Sequence, residues 1–317
     1  MKIHSEPGAD PSKDANRDVF LLLAESLDNG DVLPTKDLVE YLTHPESAIR
    51  KLALEHLESS SDASAIPALL AAADDQDDEV AIGAQEVLRA FRGSAANKAL
   101  IAGLASPSPR TRIAAVIALR ERKVEAALEC LILLLGDRDP EIRRETVLTL
   151  AYFRSPDLIL ALRSALRDDH AVVRRAAVGA LIEFKNAFVY EDLLIALRDE
   201  DWKVRQAAAI GLAHFPLEAT ISALKEALDD PKWQVTKEAL LSLARINARA
   251  DRQVYKLLHH TLADIRIAAA TALGQSNDPG TIPWLNSALN DPDSGVQKTV
   301  KAAINRLSAI QNETNTL

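Results

Sequence analysis

The stretch VRRAAVGAL, residues 173–181, decides the fold. Its β-branched Val173, then Ala177 and Leu181, lie four and eight residues apart, one stripe of a helix with 3.6 residues per turn. The same unit starts at Ile49, Val80, Thr111, Ile142, Val173, Val204, Val235, Ile265 and Val296. Each step is 31 residues, except 30 between Val235 and Ile265. A fixed period of this size marks stacked structural repeats.

Working outward, each unit reads as two helices. The motif helix has start signals: Asp139 before Pro140, with Asp201, Asp293 and Ser108 at the equivalent capping site. A shorter apolar helix precedes it, as in AIPALLAAA from Ala65, LECLILLL from Leu128 and TIPWLNSAL from Thr281, with Pro156 and Pro279 marking starts. No alternating strand pattern is present. One such pair cannot bury its own apolar face, so neighbours must stack. The expected fold is all-α: a right-handed α-solenoid (α-α superhelix, ARM/HEAT type) of about nine two-helix repeats. Residues 17–310 are expected to form it as a single domain, with an extra capping helix at about 18–28 and tails at 1–16 and 311–317.

Composition agrees and excludes several classes. The 317 residues are 48% hydrophobic, 26% charged and 4% aromatic, as expected of a soluble protein. No apolar run reaches the roughly 18–20 residues needed to span a bilayer, and the polar start is not a signal peptide. The single Cys130 rules out an internal disulfide and suits a reducing, cytoplasmic setting. A net charge of -9 argues against nucleic acid as partner.

The D-x-x-x-x-V-R-x-x-A-x-x-A-L pattern at this spacing resembles the short HEAT-like repeat of phycobilin-lyase-type proteins over roughly residues 34–310. Ala81, Thr236 and Gln297 depart from its Arg position. The resemblance implies a solenoid and leaves activity open, since the class spans bilin lyase subunits, pigment-protein chaperones, iron hydroxylases and plain scaffolds. The hydroxylase branch holds its di-iron centre with His-Glu dipeptides, and none of the seven histidines here precedes Glu. In solenoids of this type the recurring acid (Asp75, Asp137, Asp168, Asp199, Asp230, Asp291) and arginine (Arg50, Arg112, Arg143, Arg174, Arg205, Arg266) tie the loops of adjacent layers.

Other chemistry is sparse. There is no glycine-rich phosphate loop, CxxC or HExxH. The acidic run from Asp74 to Glu79 lacks the glycine and late bidentate Glu of a calcium loop and reads as capping. Cys130 reads as a core thiol. His259 and His260 do not share a helix face, so no metal is expected there. No catalytic residue, metal or cofactor is assigned.

What remains is a surface. The motif-helix face opposite the core carries Ile113, Ile117, Leu148, Ile182, Ile210 and Leu241, flanked by Tyr152 and His214. In a solenoid these line the concave groove, and contiguous exposed apolar surface marks an interaction site. A row of cations, including Arg144, Arg175 and Lys237, runs beside it. Trp202 and Trp233 recur at the loop edge, as interface anchors often do. The expectation is a monomeric, non-catalytic scaffold binding another protein in that groove. That partner presents an acidic-hydrophobic segment or is a pigment protein; neither nucleic acid nor membrane is expected to bind. Bilin lyase is the second reading and a hydroxylase-type oxidoreductase the third.

Overall fold

The computed structural model describes residues 11–184 and 187–315. They form helices and turns without a strand among them. None of those helices is long and apolar enough to cross a membrane. The chain divides into two compact units, Met1–Phe153 and Arg154–Leu317.

In the first unit the helices run α1 (Pro11–Asn29), α2 (Thr35–Tyr41), α3 (Ser47–Glu58), α4 (Ile66–Ala72), α5 (Asp78–Ala90), α6 (Ser94–Gly103), α7 (Pro109–Leu119), α8 (Leu128–Leu134) and α9 (Pro140–Phe153). From α3 on, the odd-numbered helices are the motif helices. Helix α1 covers the first layer: Leu23 is fully buried, and buried His56 of α3 donates from Nε2 to the Leu23 carbonyl at 2.9 Å. It begins at Pro11, so residues 11–16 are helical where a tail was expected; residues 1–10 lie outside the description.

The second unit continues with α10 (Ile159–Ser164), α11 (Ala171–Ile182), α12 (Ala187–Ala196), α13 (Trp202–Leu212), α14 (Glu218–Glu226), α15 (Trp233–Arg245), α16 (Arg252–Lys256), α17 (Ala263–Gln275), α18 (Ile282–Asn286) and α19 (Ser294–Asn315). Helix α19 runs five residues beyond the expected boundary at 310, into the segment expected as a tail.

Periodicity and burial agree closely. The residues that open the units and those eight further on are fully buried at Ile49 and Leu57, Val80 and Leu88, Ile142 and Leu150, Val235 and, nearly so, Leu243. Small residues permit close helix approach: a Cβ on Gly274 of α17 would lie 2.5 Å from the Ala303 Cβ of α19. The expected caps form. Asp139 accepts from the Glu141 amide at 2.8 Å, Asp201 from Lys203 at 2.8 Å, Asp293 from Gly295 at 2.8 Å and Ser108 from Thr111 at 3.4 Å. Asn247 and Asn277 follow α15 and α17 with φ of 50° and 56°, the left-handed geometry that Asn tolerates at helix ends.

The recurring acid and arginine make rungs between layers. Arg112 grips both oxygens of Asp137, Arg174 those of Asp199, Arg205 those of Asp230 and Arg266 those of Asp291, all between 2.6 and 3.0 Å. Arg50 reaches Asp75 through one contact of 2.7 Å. Each arginine also donates to two carbonyls of its own preceding loop, as Arg205 does to Asp199 and Glu200 at 2.8 and 3.0 Å. Arg143 does the same to Asp137 and Arg138. Each acid accepts an amide two residues on, shown by Asp230 and Lys232 at 2.8 Å.

The exceptions come in matched pairs. Ala81 replaces an arginine where Ser106 replaces the next layer's acid; Thr236 and His260 are the second such pair. Ser106 Oγ and His260 Nδ1 still accept the amide two residues on, at 3.2 and 3.0 Å. Thr236 and Gln297 keep a bond to the loop carbonyl six residues back, at 3.4 and 2.7 Å. Loop closure thus survives where the interlayer rung is absent.

Candidate functional site

The residues expected to bind a partner fall in both units. In the first, Ile113 and Ile117 of α7 and Leu148 of α9 are half-buried, and Tyr152 is 46% exposed. In the second, Ile182 and Leu241 are half-buried, Ile210 is 38% exposed and His214 is exposed. Water therefore reaches all of these aliphatic side chains. Ile182 is partly covered because its Cδ1 packs over Gly211, where a Cβ would lie 2.6 Å away.

The cations beside them differ in availability. Arg144 is held by Glu141 of its own helix at 2.8 Å and by Glu145. Lys237 pairs with Asp264 of the next motif helix at 2.7 Å. Arg175 is exposed, with no ion pair to a described residue. The two tryptophans are not on a loop: each is the first residue of its motif helix, because the residue before it is the N-cap. Trp202 is half-buried with Lys203 Nζ 5.7 Å from its ring centre, and Trp233 is 40% exposed with Lys237 Nζ at 5.8 Å.

Two sequence readings change. Cys130 is half-buried on α8, not in the core, because the fully buried position of that helix is Leu131. The acidic run from Asp74 is dismantled into separate tasks: Asp75 pairs with Arg50, while Asp77 caps α5 and pairs with Lys51 at 3.2 Å. Ser47 in front and Lys51 hold the Asp77 carboxyl down to about 2, against the cost of desolvation.

Periodic reading missed one feature. At the C-terminal ends of α5 and α7, Arg89, Arg92, Arg120 and Arg122 surround a pocket of about 170 Å³, with Ile117 and Tyr152 in its walls. Arg120 is paired with buried Glu145. Arg122 donates to the Ala118 and Leu88 carbonyls at 2.6 and 2.7 Å. Arg92 donates to the Phe91 carbonyl at 2.8 Å and to that of Arg89. Arginine at helix ends favours such carbonyls.

Interlocked two-helix layers with an interlayer rung define an α-solenoid. The sequence model for HEAT repeats matches residues 97–182, 190–264 and 252–315, and the chain belongs to that family. The solved structures it resembles include an engineered protein at 24% identity (TM-score 0.49, covering 95% of this chain and 96% of that one). YibA of Escherichia coli is 16% identical, with a TM-score of 0.54 over 96% of this chain and 99% of its own. A chain from the structure in which Kap95p binding switches the loops of RanGDP to the GTP-bound conformation is 14% identical, with a TM-score of 0.60 over 87% of this chain and 45% of that one. No curated protein matches the sequence.

Proposed function

We propose that this HEAT-repeat protein is a non-catalytic scaffold that binds another protein along the solvent-facing side of its motif helices. One observation carries the reading: Ile210 is 38% exposed at a motif-helix position that other repeats also fill with large aliphatic residues. Water-exposed isoleucine costs hydrophobic free energy that a partner's apolar side chain would recover, at about 25 cal/mol per Å² covered. In the second unit, the aromatic anchors Trp202 and Trp233 with the exposed cation Arg175 suit a partner segment that is both acidic and apolar. Kap95p, a component of one structure with this fold, binds RanGDP according to that structure's description, which is consistent with a protein ligand.

The test is affinity capture with mass spectrometry, comparing the wild type with Leu148→Glu, Ile210→Glu and Leu160→Glu. Leu160 is 76% exposed on the first helix of its pair, away from the proposed surface. The reading requires a captured protein to be lost with Ile210→Glu, or with Leu148→Glu in the first unit, and kept with Leu160→Glu. Retention by all three variants would end it.

A further inference from the structure

The arginine pocket at the ends of α5 and α7 is not explained by folding alone. Four guanidinium groups line it and the only carboxylate among the lining residues is Glu121. The whole chain carries an excess of nine negative charges, so this is a local reversal of sign. Arg89 is exposed and makes no ion pair or side-chain hydrogen bond to a described residue. Arg92 and Arg122 reach backbone carbonyls and, for Arg122, the Asn97 amide oxygen at 3.4 Å, but no carboxylate among the described residues. Among the described residues only Arg120 of the four has an acidic partner, and its Glu145 is shared with Arg144.

Clustered like charges repel, and here they add to the cost of burying the guanidinium groups. Burial, together with the neighbouring Arg144 and Arg89, pulls Arg120 below its ordinary value, with Tyr152 opposing. Burial and then Arg92 do the same to Arg122. An anion in the pocket would offset both the burial cost and the smaller like-charge repulsion. Guanidinium forks match the planar or tetrahedral oxygens of carboxylate and phosphoryl groups, two hydrogen bonds at a time. The volume of about 170 Å³ suits a head group, not an extended ligand. Tyr152 and Ile117 offer apolar wall to the stem that carries it.

We propose that this pocket binds the oxyanion of a partner protein's side chain, phosphoryl or carboxylate, presented on an apolar or aromatic stem. This rests on the scaffold reading above and adds the chemistry of what is recognised.

The probes are phenyl phosphate and phenylacetate, titrated into the full chain while the arginine Nε–Hε NMR signals are followed. Signals from Arg89, Arg92, Arg120 and Arg122 should move together and saturate. Arg89→Gln with Arg92→Gln should weaken binding at least about tenfold, the loss expected for hydrogen bonds to a charged group. Glu121→Gln removes the pocket's own carboxylate from an exposed position and should tighten binding several-fold. Added salt of about 0.5 M should weaken it. Saturation by phenyl phosphate alone identifies a phosphoryl source; comparable affinity for phenylacetate identifies a carboxylate. Titrations unchanged in both variants, or shifts spread over all arginines, would overturn the proposal. A single-stranded oligonucleotide binding more tightly than phenyl phosphate would overturn the assignment to a protein side chain. Because no captured partner is needed, failure here leaves the aliphatic surface standing, and failure of partner capture leaves this pocket standing.

Discussion

Arg266 donates from Nε and Nη2 to the two carboxylate oxygens of Asp291, at 2.7 and 2.8 Å, across the boundary between consecutive layers. The same guanidinium holds the loop carbonyls of His260 and Thr261 through Nη1, at 2.9 and 3.1 Å. One side chain thus closes its own loop and fastens the next. A lysine, with a point charge and no planar fork, cannot reproduce both tasks.

Asp291→Ala is expected to lower stability by about 2–3 kcal/mol, because a largely buried guanidinium loses its charged partner. Arg266→Lys should be destabilising as well, despite its unchanged charge. Urea unfolding followed by circular dichroism measures both. Midpoints that match the wild type would show the rung to be ornamental.

Acid should dissolve these ties. Arg266 holds the Asp291 carboxyl below its ordinary value, and the Asp77 carboxyl is down at about 2. A depressed folded-state value means that the stabilisation is complete above the unfolded value of about 4. It is lost as pH falls from there through the folded value. Melting temperature should therefore be flat down to about pH 4 and drop below it. Asp291→Asn should melt lower at neutral pH and show a shallower acid limb. A parallel drop in that variant would contradict the assignment.

The missing rung of the first unit can be installed. Ala81 and Ser106 are 25 residues apart, the same separation as Arg112 and Asp137. Ala81→Arg alone adds an unpaired cation at a site 6% exposed and should destabilise. Combined with Ser106→Asp it should recover, with a favourable coupling of about 0.5–3 kcal/mol in a double-mutant cycle. Simple additivity would mean that the layers there do not meet in rung geometry.

Core and surface should separate cleanly. Leu181→Ala removes a fully buried side chain and should cost about 2–5 kcal/mol. Ile210→Ser, at a partly exposed site, should change stability by less than about 1 kcal/mol while abolishing partner capture.

Gly274→Ala tests the tightest helix contact. Alanine improves helix propensity by about 1 kcal/mol. The new Cβ would also stand 2.5 Å from the Ala303 Cβ and 3.1 Å from its Cα, which is backbone and cannot rotate away. Overpacking of about 1–3 kcal/mol should win, giving a net loss in melting temperature.

Much of the architecture was legible because it repeats. Val173, Ala177 and Leu181 predict the buried stripe of α11, and Asp201 predicts the cap of α13, from spacing alone. The limits of that reading are physical. Ile182 is half-buried, and its partial cover comes from Gly211 on the next helix, a contact no single-helix periodicity contains. The arginine pocket was missed for a related reason. Arg89 and Arg120 share a repeat position that in other repeats holds Glu58, Asn305 or small and apolar residues such as Ala151, Ile182 and Gly274, so reading by column averages the charge away. Cys130 was misplaced because LECLILLL is apolar nearly all round and does not show which side turns inward.

The arginine–aspartate rungs join residues 25 apart, and this short reach bears on how the chain is born. A latch that needs only the next hairpin can engage while later segments are still on the ribosome, and topologies dominated by such nearby partners fold fast. Newly made chain would then be secured one storey at a time, leaving little greasy surface waiting for a distant mate.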